Sequence, residues 1–99
     1  MIEQVEFNPN ARKEVADSFD WYESREVGLG DDFLGALDDC IRLIRHHPEL
    51  SPIAFKNYRR ALLAQFPFAI FYRVHSSILT IYAVFHCSKN PLRLAQRLI

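Results

Sequence analysis

The spacing of apolar residues changes near residue 50, and this change constrains the fold more than any other feature of the sequence. Between residues 9 and 47, apolar side chains recur every three or four positions, which is the spacing of a helix with one buried face. From residue 58 onward they follow a period of two, which is typical of strands. Helices followed by strands predict an α+β fold, and the length of 99 residues predicts a single domain over residues 1–99.

Two helices are predicted in the first half of the chain, and we expect them to pack as an antiparallel hairpin. The first follows Asn8, a favourable capping residue, and has Pro9 at its first position. The second begins at Asp31 or Asp32 and ends at residues 46–48. The apolar stripes of the two helices consist of Ala11, Val15, Phe19 and Tyr22 on the first and of Phe33, Leu37, Cys40, Ile41 and Ile44 on the second.

Four strands are predicted, one before the helices and three after them. The resulting order, β-α-α-β-β-β, predicts an antiparallel sheet packed against the helical hairpin. Residues 49–57 are expected to form a loop, and Asn90 with Pro91 favours a short C-terminal helix. Period two places Leu79, Ile81 and Ala83 on the same face of the last strand, together with Phe85. The predicted strands span residues 1–7, 58–65, 68–75 and 78–86.

Several conspicuous side chains are expected to serve packing. Trp21 and Tyr22 lie where the first helix meets the sheet, so both are predicted to pack in the core. Cys40 lies on the apolar face of the second helix and has the same expected role. With Cys87 as the only other cysteine, the chain has no disulfide or metal-binding framework. No metal or other cofactor is therefore expected.

The charges are strongly segregated along the chain, although they sum to zero. Residues 1–50 hold all twelve Asp and Glu with five Lys and Arg, for a net charge of −7, and residues 51–99 hold seven Lys and Arg and no acid, for +7. A basic half attracts phosphates or an acidic partner. The alternative is that two solvated faces of opposite charge merely balance. Without a long apolar run or a signal-peptide pattern, we expect a cytoplasmic protein with no membrane partner.

An ordered set of motifs spans nearly the whole chain. The motifs are Trp21-Tyr22-Glu23, Leu29-Gly30-x-x-Phe33-Leu34, Pro48, Arg59-Arg60-x-Leu62-Leu63, Phe66-Pro67-Phe68-x-Ile70-x-Tyr72, Ala83-Val84-x-His86 and Pro91 to Arg97. With these motifs the chain resembles the RelE/ParE superfamily of small bacterial toxins, from type II toxin–antitoxin or plasmid-stabilisation modules. The resemblance implies the fold predicted above. It also implies that the chain arrests growth and forms a hetero-oligomer with a cognate antitoxin, whose C-terminal segment folds onto it and neutralises it.

Two activities are known in this superfamily. RelE-like members cleave mRNA in the ribosomal A site without a metal, using basic residues and a Tyr or His near the C-terminus, whereas ParE-like members inhibit DNA gyrase. The C-terminal residues 97–99 of this chain contain neither Tyr nor His, and its balanced charge lacks the basic excess of catalytic members. We therefore expect a ParE-like toxin. The alternatives are a ribosome-dependent endoribonuclease and a degenerate interaction domain without toxicity.

If the chain is a ribonuclease, three residues are its catalytic candidates. RNA cleavage needs proton transfer and stabilisation of the charge on phosphorus. His86 is suited to the first task, and Arg60 with Arg73, on neighbouring strands, is suited to the second by converging on one phosphate. The further candidates for binding phosphate or a partner are Arg59, Lys89, Arg93 and Arg97.

Overall fold

The fold is a five-stranded sheet with a helical hairpin on one face and a short helix on the other. The computed structural model describes residues 1–98, so Ile99, the last residue of the predicted domain, lies outside the described residues. The α+β class is confirmed. The elements are β1 (Gln4–Phe7), α1 (Pro9–Arg25), α2 (Leu29–His46), β2 (Ile53–Phe55), β3 (Tyr58–Leu62), β4 (Phe68–His75), β5 (Ile78–His86) and α3 (Pro91–Arg97).

The sheet is mixed rather than antiparallel, and it has one strand more than the sequence predicted. Its order is β1-β5-β4-β3-β2, with β1 parallel to β5 and every other pair antiparallel. The alternation of side chains reports that a segment is a strand, but it does not report the direction of its neighbour. The extra strand β2 lies inside the predicted loop, and its three residues are too few to show a period.

The helical hairpin is built from local signals. Asn8 caps α1 as predicted, accepting a hydrogen bond from the Ala11 N–H at 2.9 Å. Helix α2 begins two or three residues earlier than predicted, after Gly28, whose φ of 92° lies in the left-handed region. The carboxylate of Glu23 caps α2 by accepting from the N–H groups of Gly28 and Gly30, at 3.0 and 2.9 Å. Glu23, the last residue of the motif Trp21-Tyr22-Glu23, therefore stabilises the start of α2, where the motif Leu29-Gly30-x-x-Phe33-Leu34 begins.

Two apolar clusters cover the two faces of the sheet. The larger lies under the hairpin, where Tyr22 stacks on Phe33 at 5.5 Å between ring centroids. Cys40 is buried in this cluster as predicted, and burial raises its pKa to about 11. The core prediction was wrong for Trp21, which is 54% exposed, because consecutive helical residues point about 100° apart and Tyr22 takes the inner position. The smaller cluster joins α3 to the other face through Leu94.

A β-bulge in β5 reverses the predicted facing of its second half. The register between β4 and β5 shifts between Phe71 and Tyr72, so Tyr82 is an extra residue on β5. Leu79 and Ile81 face the hairpin, whereas Ala83 and Phe85 belong to the cluster beneath α3. The prediction that these four residues share one face was therefore wrong. Among the described residues, no helix is long and apolar enough to cross a bilayer.

Candidate functional site

A groove of about 530 Å³ lies between α3 and the open face of the sheet. Its floor is apolar and includes Phe71 and Phe85, and its basic lining residues are Arg60, His86 and Lys89. No carboxylate lines this α3 groove in residues 1–98. All the lining residues come from the half of the chain that contains no Asp or Glu. The groove is therefore both basic and apolar.

Strand pairing and the C-terminal helix together form the groove. Arg60 pairs directly with Phe71, so both side chains project from the same face of the sheet. Helix α3 begins after Asn90, whose side chain accepts a hydrogen bond from the Leu92 N–H at 3.0 Å. Leu94 is buried against the sheet, and it anchors the helix as one wall of the groove.

His86 has one ring nitrogen committed to the turn that follows β5. Its Nδ1 accepts a hydrogen bond from the Ser88 N–H at 3.0 Å and lies 2.7 Å from the Ser88 hydroxyl. The ring packs edge-on against Phe68 at 5.0 Å between centroids. Because Nδ1 accepts from a backbone N–H, the neutral imidazole carries its proton on Nε2, and only that nitrogen can exchange a proton with a ligand.

Arg60 and Arg73 do not line the same cavity. The Arg73 guanidinium lies against two tyrosine rings that contact each other edge-on, 4.6 Å from the centroid of Tyr58 and 4.9 Å from that of Tyr82. It donates to the Tyr82 hydroxyl at 3.0 Å, and this hydrogen bond raises the pKa of Arg73. Arg60 lines the α3 groove, whereas Arg73 lines two smaller cavities near the β4–β5 turn. The two predicted phosphate ligands are thus held apart.

The other basic candidates have different surroundings. Arg59 donates to the backbone carbonyls of Glu49 and Ser51, at 3.2 and 2.7 Å, and so holds the loop before β2. Arg93 is exposed on α3 and does not line the groove. The Lys89 ammonium lies 5.9 Å from the ring centroid of Phe85 at the groove itself.

Arg97 makes a buried contact that the sequence did not indicate. It forms a two-pronged ion pair with Glu14 of α1, at 2.9 and 3.1 Å, and also donates to the Tyr82 carbonyl. Sequence reasoning missed Glu14 because the two residues are 83 positions apart and no local pattern connects them. This arrangement makes Arg97 a residue that positions α3.

The described residues contain no group of three or more His, Cys, Asp or Glu side chains that could hold a metal ion. The chemistry available in the α3 groove is therefore electrostatic attraction of anions, apolar contact, and proton exchange at His86 Nε2. These properties suit an acidic, partly apolar protein segment, and they also suit a nucleic-acid phosphate.

Two comparisons with known proteins found matches to this chain. A family model described as the ParE toxin of the type II toxin–antitoxin system, parDE, matches residues 5–91. A solved chain from a structure titled "Chromosomal ParDE TA system from P. aeruginosa" has the same fold, with a TM-score of 0.64. The match covers 86% of this chain and 96% of that chain at 14% sequence identity. No curated protein matches the sequence.

Proposed function

The chain belongs to the ParE toxin family of type II toxin–antitoxin systems, and on that basis we propose that it arrests bacterial growth by inhibiting DNA gyrase in the cytoplasm and is neutralised by a cognate antitoxin. The observation that carries this proposal is the family match, which spans the hairpin and all of the sheet except its first residue, Gln4.

Three of the predicted basic residues are held by contacts within the protein, which favours a protein target over RNA cleavage. Arg59 holds a loop, Arg73 lies against two tyrosines, and Arg97 pairs with a carboxylate. Stabilising a cleaving phosphate requires several donors that converge on the same charge. Arg60 and Lys89 remain in the α3 groove, together with His86. This set is sparse for a ribonuclease, and it is sufficient to attract an acidic protein segment.

The α3 groove is the surface that we assign to the antitoxin. Its apolar floor suits buried side chains, and its basic residues suit the carboxylates of a partner. We expect the antitoxin to present an amphipathic segment with Asp or Glu beside its apolar anchors. An antitoxin segment that is neutral or basic where it meets the groove would contradict this assignment.

The exposed end of the hairpin is the surface that we assign to the target. Trp21 is 54% exposed, and the guanidinium of Arg25 lies 4.5 Å from its ring centroid. Val27, in the connection between the helices, is 91% exposed. Trp and Arg are the residue types that most often dominate the binding energy of protein interfaces. The hairpin end can therefore contact gyrase while the groove is free for the antitoxin.

One observation supports the RelE-like alternative. Arg60, His86 and Lys89 line one groove, so two cations and a proton donor are available to one phosphate. The resulting ribonuclease would act without a metal. The remaining alternative, a non-toxic interaction domain, uses the same groove only for binding.

Induced expression in a bacterial host separates these functions, with an early stop codon in the same gene as the control. A gyrase inhibitor causes filamentation and an SOS response while bulk translation continues, and the purified chain inhibits DNA supercoiling by gyrase. Rapid translation arrest with mRNA cuts at codon positions would contradict the proposal and support the ribonuclease. Normal growth in the absence of the antitoxin would support the non-toxic domain.

A further inference from the structure

A second basic cavity lies at the end of the sheet where β3 begins and β4 ends. It has a volume of about 400 Å³, and Arg59 and Arg73 both line it. It shares no lining residue with the α3 groove. We infer that this two-arginine cavity is a binding site for a small phosphate monoester, an inference that does not depend on the toxin's target.

Arg73 is held in place before any ligand arrives. The rings of Tyr58 and Tyr82 both contact its guanidinium, and Asn57 accepts a hydrogen bond from Nη1 at 3.2 Å. The Tyr82 hydroxyl accepts another from Nη2 at 3.0 Å. A guanidinium held by two rings and two hydrogen bonds has lost much of its rotamer freedom, so binding an anion costs little further ordering.

Arg59 is held by backbone carbonyls rather than by a carboxylate. Its Nη1 donates to the carbonyls of Glu49 and Ser51. Throughout residues 1–98, neither Arg59 nor Arg73 has a carboxylate oxygen within ion-pair distance. Two guanidinium groups with neutral partners therefore line one cavity, and an oxyanion there would be the counter-charge that the fold does not supply.

The two charges match the charge of a phosphate monoester. Such a group carries about −1.5 to −2 at neutral pH and has three acceptor oxygens, whereas one carboxylate supplies a single charge. Ile53 and Val74, which are 57% and 40% exposed, line the same cavity and offer apolar contact to the organic part of the ligand. The Glu49 side chain also belongs to the lining, and its negative charge weakens binding.

Titration of the folded chain with phosphates, followed by backbone amide NMR, tests this site. Inorganic phosphate and phenyl phosphate are the two probes, and sodium chloride at matched ionic strength is the control. We expect saturable shifts at Asn57 and Val74 with both phosphates and tighter binding of phenyl phosphate. Equal affinity for the two would indicate a site for free phosphate rather than a monoester. Equal shifts with chloride, or shifts confined to the α3 groove, would overturn the inference.

Variants that remove one positive charge provide the matched comparison. Arg73→Gln should weaken phosphate binding about tenfold or more, because it removes charged hydrogen bonds. Arg42→Gln removes an exposed guanidinium from α2 and should leave binding unchanged. Glu49→Gln should strengthen binding. If Arg73→Gln does not fold, Arg73→Lys keeps a cation beside the tyrosines and should bind more weakly than the parent. Equal losses in Arg42→Gln and the Arg73 variant would show general charge screening instead of a site.

Discussion

Glu14 and Arg97 form a two-pronged ion pair across the edge of β5, just beyond the point where β1 ceases to cover it. The last backbone hydrogen bond between the β1 segment and this edge runs from the Asn8 N–H to the Ile81 carbonyl. Beyond it, Arg97 donates to the Tyr82 carbonyl and the Glu14 carboxylate accepts from the Val84 N–H. The pair thus satisfies the backbone of an otherwise open edge, and it attaches α3 to α1.

Loss of one partner of this pair should be costly. Arg97→Met keeps much of the side-chain packing but leaves Glu14 as an unpaired, largely buried charge, so we expect a loss of about 3 kcal/mol in the free energy of unfolding. Urea denaturation followed by circular dichroism measures the change. Arg42→Met, which breaks an exposed pair with Asp39, should change stability by less than about 0.5 kcal/mol. Equal losses of stability in the two variants would show that the Glu14–Arg97 pair contributes no more than the exposed Asp39–Arg42 pair.

Two glycines of α2 should respond to alanine in opposite directions. A Cβ at Gly30 would lie 2.8 Å from the Phe19 ring, so Gly30→Ala should destabilise the hairpin by about 1–3 kcal/mol. A Cβ at Gly35 meets nothing within 4 Å, and Gly35→Ala should stabilise the helix by about 0.5–1 kcal/mol. Thermal melts of both variants check the signs. Stabilisation by Gly30→Ala would mean that the helices are less closely packed than described.

Substitutions of the adjacent aromatic residues Trp21 and Tyr22 in α1 should affect different properties, toxicity for Trp21 and stability for Tyr22. Tyr22→Ala removes a ring that contacts Phe33 and Phe66, and it should cost about 3 kcal/mol. Trp21→Ala should cost less than about 1 kcal/mol, because Trp21 is half exposed, yet it should weaken growth arrest. Urea denaturation and induced-expression growth curves give the two readouts. Full toxicity of Trp21→Ala would exclude the hairpin end as the target contact.

The two cysteines should differ strongly in reactivity. Burial favours the neutral thiol of Cys40 and raises its pKa to about 11, so only about one molecule in a thousand carries its thiolate at a pH of about 8. Cys87 is exposed and should react at once with a thiol reagent. The sign of the shift predicts that Cys40 becomes reactive on unfolding or as the pH rises toward its folded pKa. Rapid labelling of native Cys87→Ser would contradict the burial of Cys40.

The role of His86 can be tested without disturbing its turn. In His86→Asn, the amide oxygen can replace Nδ1 as the acceptor for the Ser88 N–H, but the side chain no longer transfers protons near neutral pH. We expect growth arrest to persist in this variant. Arg60→Glu should instead weaken neutralisation by the antitoxin, because it reverses a charge in the α3 groove. Loss of toxicity in a folded His86→Asn chain would favour the ribonuclease.

Features that depend on nearby residues were predictable. Asn8 caps the first helix where its sequence indicated, and Cys40 lies on the buried stripe of the second. The inward packing of Tyr22 and the exposure of Trp21 were not predictable, because the two residues are adjacent aromatics and only the position of α2 selects which of them faces inward. Strand β2 was missed since three residues cannot display a period.

The sequence by itself determined the helical hairpin, the strands that follow it and the segregation of acidic from basic residues, because capping, side-chain spacing and charge order are properties of the chain. Only the tertiary structure decided which basic residues share a cavity. The bulge at Tyr82 depends on how β4 pairs with β5. The parallel pairing of β1 with β5 and the contact of Glu14 with Arg97 depend on residues far apart in sequence. Their stability comes from packing and hydrogen bonds that exist only once the sheet has formed, and no local pattern records them.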